Sequence, residues 1–185
     1  MSELERVRAS LRAAAAAHEL MAASGADPVA EAGALLKQAL ADGHQVLAFG
    51  NGGSATDAQH FVAELVGRFT RERGGLSAVA LTADTAVLTS IANDYGFDAV
   101  FARQVDALGQ PGDVAVGITT SGRSPNVNAA LDRARARGLR TIALTGRDGG
   151  DAGPRADVHV NVPADDTARI QEVHRTVLHV LCDLI

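Results

Sequence analysis

Gly50-Asn-Gly-Gly-Ser-Ala-Thr-Asp-Ala-Gln-His-Phe-Val-Ala-Glu-Leu-Val-Gly-Arg68 joins a glycine-rich turn to a helix with unusual polar residues along one side. The run before it, Gln45 to Phe49, is apolar, too short for a helix and bounded by Gly43 and Gly50, which predicts a buried strand. A strand, a glycine turn and a helix therefore follow one another. Such a turn leaves backbone N–H groups uncovered at a helix N-terminus, where the helix dipole favours a phosphate or carboxylate. Ser54 is placed to cap that helix or to add a hydroxyl donor. Ala58, Phe61, Val62, Leu65 and Val66 make an apolar stripe at helical spacing, and Asp57, His60, Glu64 and Arg68 run along a neighbouring stripe. His60 and Glu64 thus stand one turn apart on one face. Two plainer readings compete. Gly50-x-Gly52-x-x-Ala55 satisfies the dinucleotide fingerprint with Asp84 as the ribose acid, although Asp84 comes later than the ~20 residues that motif expects. The polar stripe also reads as a solvated face carrying a Glu64–Arg68 ion pair.

Outward from this stretch the unit repeats. Leu76 to Leu81, Asp113 to Ile118, Arg140 to Leu144 and Val158 to Val162 are further apolar runs, the last alternating like an edge strand. Helical patterns separate them: Asp84 to Ala92, broken by Asn93-Asp-Tyr-Gly96; Phe101 to Leu108; Asn126 to Arg137, ended by Gly138; and Asp166 to the last residue. Strands alternating with helices predict an α/β fold, a three-layer sandwich around a five-stranded parallel sheet, with ligands beyond the strand carboxyl ends. An N-terminal helical pair precedes it: Ser2 to about Ala23, then a helix with Pro28 in its first turn that runs to Gly43. Residues 1–185 read as one domain, with 1–43 as helices available for oligomer contacts or for packing on their own sheet, and 44–185 as the α/β core.

Composition narrows the partners. Of 185 residues 46% are apolar, enough for one substantial core, and the net charge of −5 with 3% aromatics argues against nucleic-acid binding. Cys182 is the single cysteine, which excludes a disulfide framework and a thiolate metal cluster and fits a reducing cytoplasm. The sequence carries no export signal pattern and no apolar run near the ~18 residues of a membrane span.

Thr119-Thr-Ser-Gly-Arg-Ser-Pro125, at the end of the third strand, repeats the character of the Gly50 turn: hydroxyls on Thr119, Thr120, Ser121 and Ser124, a cap at Ser124 and proline at the first helical position. Two donor-rich turns after two strands of one sheet point to an anion held by N–H and O–H groups. On the last helix Gln171, Arg175 and His179 fall on one polar line. His60, Glu64, Gln171 and His179 are side chains of types that zinc accepts, but Gln171 and His179 are ~12 Å apart in helical rise, so one ion would have to sit between them. Taken residue by residue, four separate surface positions remain the better reading of them. His44, His159 and His174 receive no role.

Five segments in order, GNGGSATDAQHFVAEL (50–65), AVLTSIANDYGF (86–97), GDVAVGITTSGRSPNV (112–127), IALTGRDGG (142–150) and ARIQEVHRTVLH (168–179), resemble the sedoheptulose-7-phosphate isomerases, or phosphoheptose isomerases, of the flavodoxin-like sugar-isomerase (SIS) fold. The resemblance runs from Gln45 to the C-terminus. It implies a cytoplasmic homotetramer with active sites at subunit interfaces, which interconverts sedoheptulose 7-phosphate and D-glycero-D-manno-heptose 7-phosphate. Carried over by position, Asn51, Gly52, Gly53, Ser54, Asn93 and Asp94 contact substrate. Thr119, Thr120, Ser121 and Ser124 match the phosphate-holding turn. His60, Glu64, Gln171 and His179 match the ligands of one Zn²⁺ per subunit, with Glu64 and Gln171 also touching substrate. Glu64 and His179 match the acid/base pair of an enediol mechanism. Thr119 and Arg123 depart from the usual Ser and Asn of the turn. A non-catalytic relative that binds the bacterial replication initiator keeps the glycine turn but lacks the equivalents of Glu64 and His179. That relative, and sugar-phosphate-sensing modules of the same fold, define the alternative reading.

Overall fold

The computed structural model describes residues 1–185 and has the expected α/β architecture. In chain order it contains α1 (Glu3–Ser24), α2 (Ala26–Ala41), β1 (Val46–Gly50), α3 (Gly53–Val66), β2 (Ala78–Ala80), α4 (Thr85–Tyr95), α5 (Ala102–Leu108), β3 (Val114–Thr119), α6 (Pro125–Ala136), β4 (Arg140–Gly146), β5 (Val158–Val162) and α7 (Thr167–Leu184). The strands form one sheet in the order β2-β1-β3-β4-β5, every pair parallel. A parallel sheet needs helices on both faces, which is why β1 and β3 read as unbroken apolar runs and are buried along their whole length.

Alternation along β1 shows the layers. Val46 and Ala48 enter a core shared with α2, α3 and α7, while Leu47 and Phe49 enter a second core built on α5 and α6. Phe49 and Phe61 are fully buried, one in each core, and such side chains stabilise by ~1.5–3 kcal/mol each when removed from water. α1 is different. Ser2 and Glu5 close a capping box at its start, yet of its 22 residues only Ala17 and Met21 are buried.

Several boundaries differ from the sequence expectation for local reasons. β2 has three residues rather than six, because it is an edge strand with a single neighbour, and its side chains are only partly covered. α4 runs on to Tyr95, so Asn93 and Asp94 lie in its last turn and Gly96, at φ 88°, is what ends it. The N-cap of α3 is Gly52 at φ 56°, a left-handed conformation suited to glycine, and Ser54 is buried inside the first turn instead of capping it. Asp84 accepts a hydrogen bond from Val87 N–H at 3.0 Å and so caps α4. That role accounts for Asp84 without a ribose.

Candidate active site

The chain leaves β1 toward β2 on one side and leaves β3 toward β4 on the other, so the strand order reverses between β1 and β3. Loops diverge at such a point and open a crevice beyond the strand carboxyl ends. Gly50 and Ile118 are paired in register there, which places the Gly50 and Thr119 turns side by side. Asn51 and Asn126 tie them together through two reciprocal amide bonds of 2.8 and 2.9 Å. Asn126 also accepts from Val127 N–H at 2.9 Å and is buried. Its part in the site escaped the sequence reading, because a partner 75 residues away leaves no local signal.

The Thr119 turn is arranged for donation outward. Thr119 is buried and its hydroxyl bonds the Ser124 hydroxyl at 2.9 Å, so Ser124 caps α6 in position but not through its side chain. The Ser121 hydroxyl accepts from Arg123 N–H at 3.1 Å, and the N–H groups of Ser121 and Ser124 have no acceptor within the chain. Pro125 at the first helical position leaves the dipole of α6 directed at this turn. A tetrahedral oxyanion is the ligand such an array of N–H and O–H groups suits.

The second half of the site lies between α3 and α7, which run in the same direction and meet in rungs about one helical turn apart. Gln171 packs its carboxamide over Gly53, where an added Cβ would come within 2.5 Å of its Nε2. Next, Arg175 Nε donates to Asp57 Oδ1 at 2.8 Å, Asp57 being buried. Then His60 Nε2 meets His179 Nε2 at 2.7 Å, the rings in edge-to-face contact, with the Glu64 carboxylate 3.7 Å from His60 Nε2. Phe69 stacks on His179 with ring centroids 5.4 Å apart. Glu64 is half-buried and faces His60, while Arg68 pairs with Glu72 at 3.3 Å, so the Glu64–Arg68 pair does not form. Arg73 instead holds the C-terminus of α3, donating to the carbonyls of Glu64 and Leu65.

Burial, assisted by the nearby Arg175 charge, pushes the His60 pKa down; Glu64 opposes this without cancelling it. His60 is therefore neutral near pH 7, the state in which imidazole ligates a metal or exchanges a proton. His60, Glu64 and His179 come together as nitrogen and oxygen donors of the kinds zinc takes. No three such side chains stand ready-made at ligand spacing, and the two ring nitrogens, at hydrogen-bond distance, would have to part to admit an ion. Gln171 lies about two turns away, beside Gly53, with the Arg175–Asp57 rung between. Asn93 and Asp94 are exposed on α4, and Asn93 Nδ2 donates to the Asp94 carboxylate at 2.8 Å.

Comparisons with known proteins bear on the family and the fold. The SIS domain family model matches residues 11–146. A phosphoheptose isomerase from Geobacter sulfurreducens is 54% identical over 98% of this chain and 96% of its own. Among solved structures, a phosphoheptose isomerase from Neisseria gonorrhoeae superposes with a TM-score of 0.94 at 48% identity, covering 98% of this chain and 97% of that one. One from Francisella tularensis gives 0.96 at 38% identity, covering 100% and 98%.

Proposed function

Because this chain belongs to the phosphoheptose isomerases of the SIS-domain family, we propose how its own residues carry out the family's reaction. It isomerises sedoheptulose 7-phosphate, a ketose phosphate, to the aldose D-glycero-D-manno-heptose 7-phosphate. The observation that carries the mechanism is the meeting of Glu64, His60 and His179 on two helices whose N-termini flank the crevice.

Ketose-to-aldose conversion moves one proton between adjacent carbons through an enediol while a second proton changes oxygen. Glu64 is the base: a half-buried carboxylate lifts the carbon-bound proton and returns it to the neighbouring carbon. His179, held by Phe69 and by His60, moves the proton between the two oxygens. The hydroxyls of Thr120, Ser121 and Ser124, with the free N–H groups of Ser121 and Ser124, hold the phosphate, and the buried Thr119 hydroxyl sets the Ser124 rotamer. Binding energy gathered there, away from the reacting carbons, positions the carbonyl end. Asn51 to Ser54, with Asn93 and Asp94, complete the contacts to the sugar.

His60, Glu64 and His179 are the residues that would hold one Zn²⁺, with Gln171 as a fourth donor. When bound, the ion supplies Lewis-acid polarisation of the substrate oxygens. Since Gln171 and the histidine pair lie two rungs apart in one chain, we assign the complete site to a homotetramer in the cytoplasm, with sites finished at subunit contacts. The reading is tested by incubating zinc-loaded protein with sedoheptulose 7-phosphate in D₂O and following the sugar by proton NMR. Deuterium entering at C2 in the wild type, with turnover reduced at least ~10²-fold in Glu64→Gln, is expected. Full activity in that variant would remove Glu64 from the proton transfer.

A further inference from the structure

The loop after β4, Arg147 to Ala152, lies directly on the Thr119 turn. Ala152 N–H donates to the Gly122 carbonyl at 2.9 Å, and a side chain at Gly122 would run into the Gly149 carbonyl. A side chain at Gly150 would approach the Ser121 carbonyl to 2.6 Å. Backbone packs on backbone here, with Gly122, Gly149 and Gly150 all at positive φ. Only one side-chain pair spans the seam. Arg123 Nη1 and Nη2 donate to Asp148 Oδ1 and Oδ2 at 2.9 and 2.6 Å, a two-pronged contact, and Nη1 also donates to the Ser121 carbonyl at 3.2 Å. Asp148 Oδ1 accepts in addition from Gly150 N–H at 3.2 Å. Each member of the pair therefore braces its own loop as well as the other's.

We propose that Arg123 and Asp148 form a latch that fixes the Thr119–Ser124 turn in its phosphate-accepting shape, making both positioning residues for substrate binding. The inference rests on the reading of that turn as the phosphate cradle. Three features support it. Arg123 sits between Ser121 and Ser124, so its anchorage sets the spacing of the two free N–H groups. The forked geometry is the form of exposed ion pair that holds orientation rather than only charge. And Asp148, an anion beside a phosphate site, is neutralised by its partner, so the two loops can approach without repelling the substrate. The hydrogen bond from Arg123, aided by Gly150 N–H, holds the Asp148 carboxyl down to about 2, and the same contact raises the Arg123 pKa, with Asp151 adding to it. The pair is then fully charged at every pH above the ordinary carboxylate range, and loosens only as pH falls through that depressed value.

The test compares Arg123→Ala, Asp148→Ala, Arg123→Lys, the exchange Arg123→Asp with Asp148→Arg, and Ser124→Ala, each first checked for folding by circular dichroism. The expected result is a KM for sedoheptulose 7-phosphate raised about fivefold by either alanine variant, with kcat within about twofold of wild type, since an exposed pair acts through geometry and not on the reacting carbons. The lysine variant should lie between, and the exchange, which restores the pair but not the bond each residue makes to its own loop, should recover only part of the loss in KM. If Asp148→Ala lowers KM while Arg123→Ala raises it, Arg123 binds phosphate directly and the latch is overturned. Unchanged KM in both alanine variants, with KM raised in Ser124→Ala, also overturns the latch but leaves the cradle standing. Unchanged KM in Ser124→Ala as well as in both alanine variants removes the cradle and the latch together.

Discussion

His174 shows how much a single position can do outside the chemistry. Its ring is completely buried, with Nε2 donating to the Thr145 carbonyl at 2.9 Å and Nδ1 left without a partner. A carbonyl acceptor fixes the proton on Nε2, so His174 links α7 to the end of β4 in the neutral form. Burial lowers its pKa, more than the Thr145 bond and the Asp57 charge raise it; burial acts in the same direction on His60 and His159. A histidine whose folded pKa lies below the unfolded value of about 6.5 favours the unfolded chain as it takes up a proton. Stability from these groups is complete above that value and falls as pH drops toward the folded pKa. The depressed carboxylates Asp148 and Asp157 act lower, below about pH 4: Asp157 despite its burial, because Thr141 and Arg140 donate to it. Melting temperature should therefore fall between pH 7 and pH 5, a window that belongs to the histidines. His174→Gln, which can still donate to Thr145, should cost about 1–3 kcal/mol at pH 7.5 and flatten that slope. An unaltered slope in melts of the variant would assign the acid sensitivity elsewhere.

At the scale of elements, the decisive arrangement is the parallel contact of α3 with α7, and it was half legible. Spacing placed His60 and Glu64 on one face of α3, and Gln171, Arg175 and His179 on one line of α7, because helical periodicity is a property of each segment. That the two lines face each other, in rungs Gly53–Gln171, Asp57–Arg175 and His60–His179, depends on contacts across more than a hundred residues. The same limit hid Asn126. The strands were legible because a parallel sheet buried on both faces writes itself as continuous apolar runs, and β2 was overestimated because an edge strand needs fewer of them. α4 was cut short at Asn93 because Asn-Asp-Tyr-Gly is turn-forming composition, whereas in the fold only Gly96 breaks the helix. The first rung gives a clean prediction. Alanine at Gly53, the first residue of α3, is compatible with the helix, yet its Cβ would stand 2.5 Å from Gln171 Nε2 and 2.9 Å from Cδ. The flexible carboxamide must turn away while the helix stays intact. Gly53→Ala should keep its melting temperature within a few degrees and lose ~10- to ~100-fold in kcat/KM, the order expected when a positioned group moves by about 1 Å. Unchanged kcat/KM would remove both Gly53 and Gln171 from the reaction.

The whole molecule leaves an apolar surface that one chain does not cover. Leu4, Val7, Leu11 and Leu20 on α1 are each more than half exposed, and a groove between α1, α2 and α7 is walled by Met21, Ala22, Val29, Val173, Val177 and Val180. No helix is long and apolar enough to cross a membrane. This surface shares α7 with the α3–α7 pair, and on the proposed reading this is where a tetramer would have to close if Gln171 is to serve a histidine pair two rungs from it. On the proposed reading, assembly and activity are one property. Light scattering should give a mass near four times the 19.0 kDa chain. Leu11→Glu with Leu20→Glu places charges on α1 without touching the sheet or its buried core, so the chain should stay folded by circular dichroism while the particle falls to smaller species. Isomerase activity should fall in step with the tetramer fraction, and specific activity of the variant should rise with protein concentration as mass action restores the assembly. A dissociated, folded variant that turns over sedoheptulose 7-phosphate at the wild-type rate would show that each chain holds a complete site, and would place Gln171 outside it.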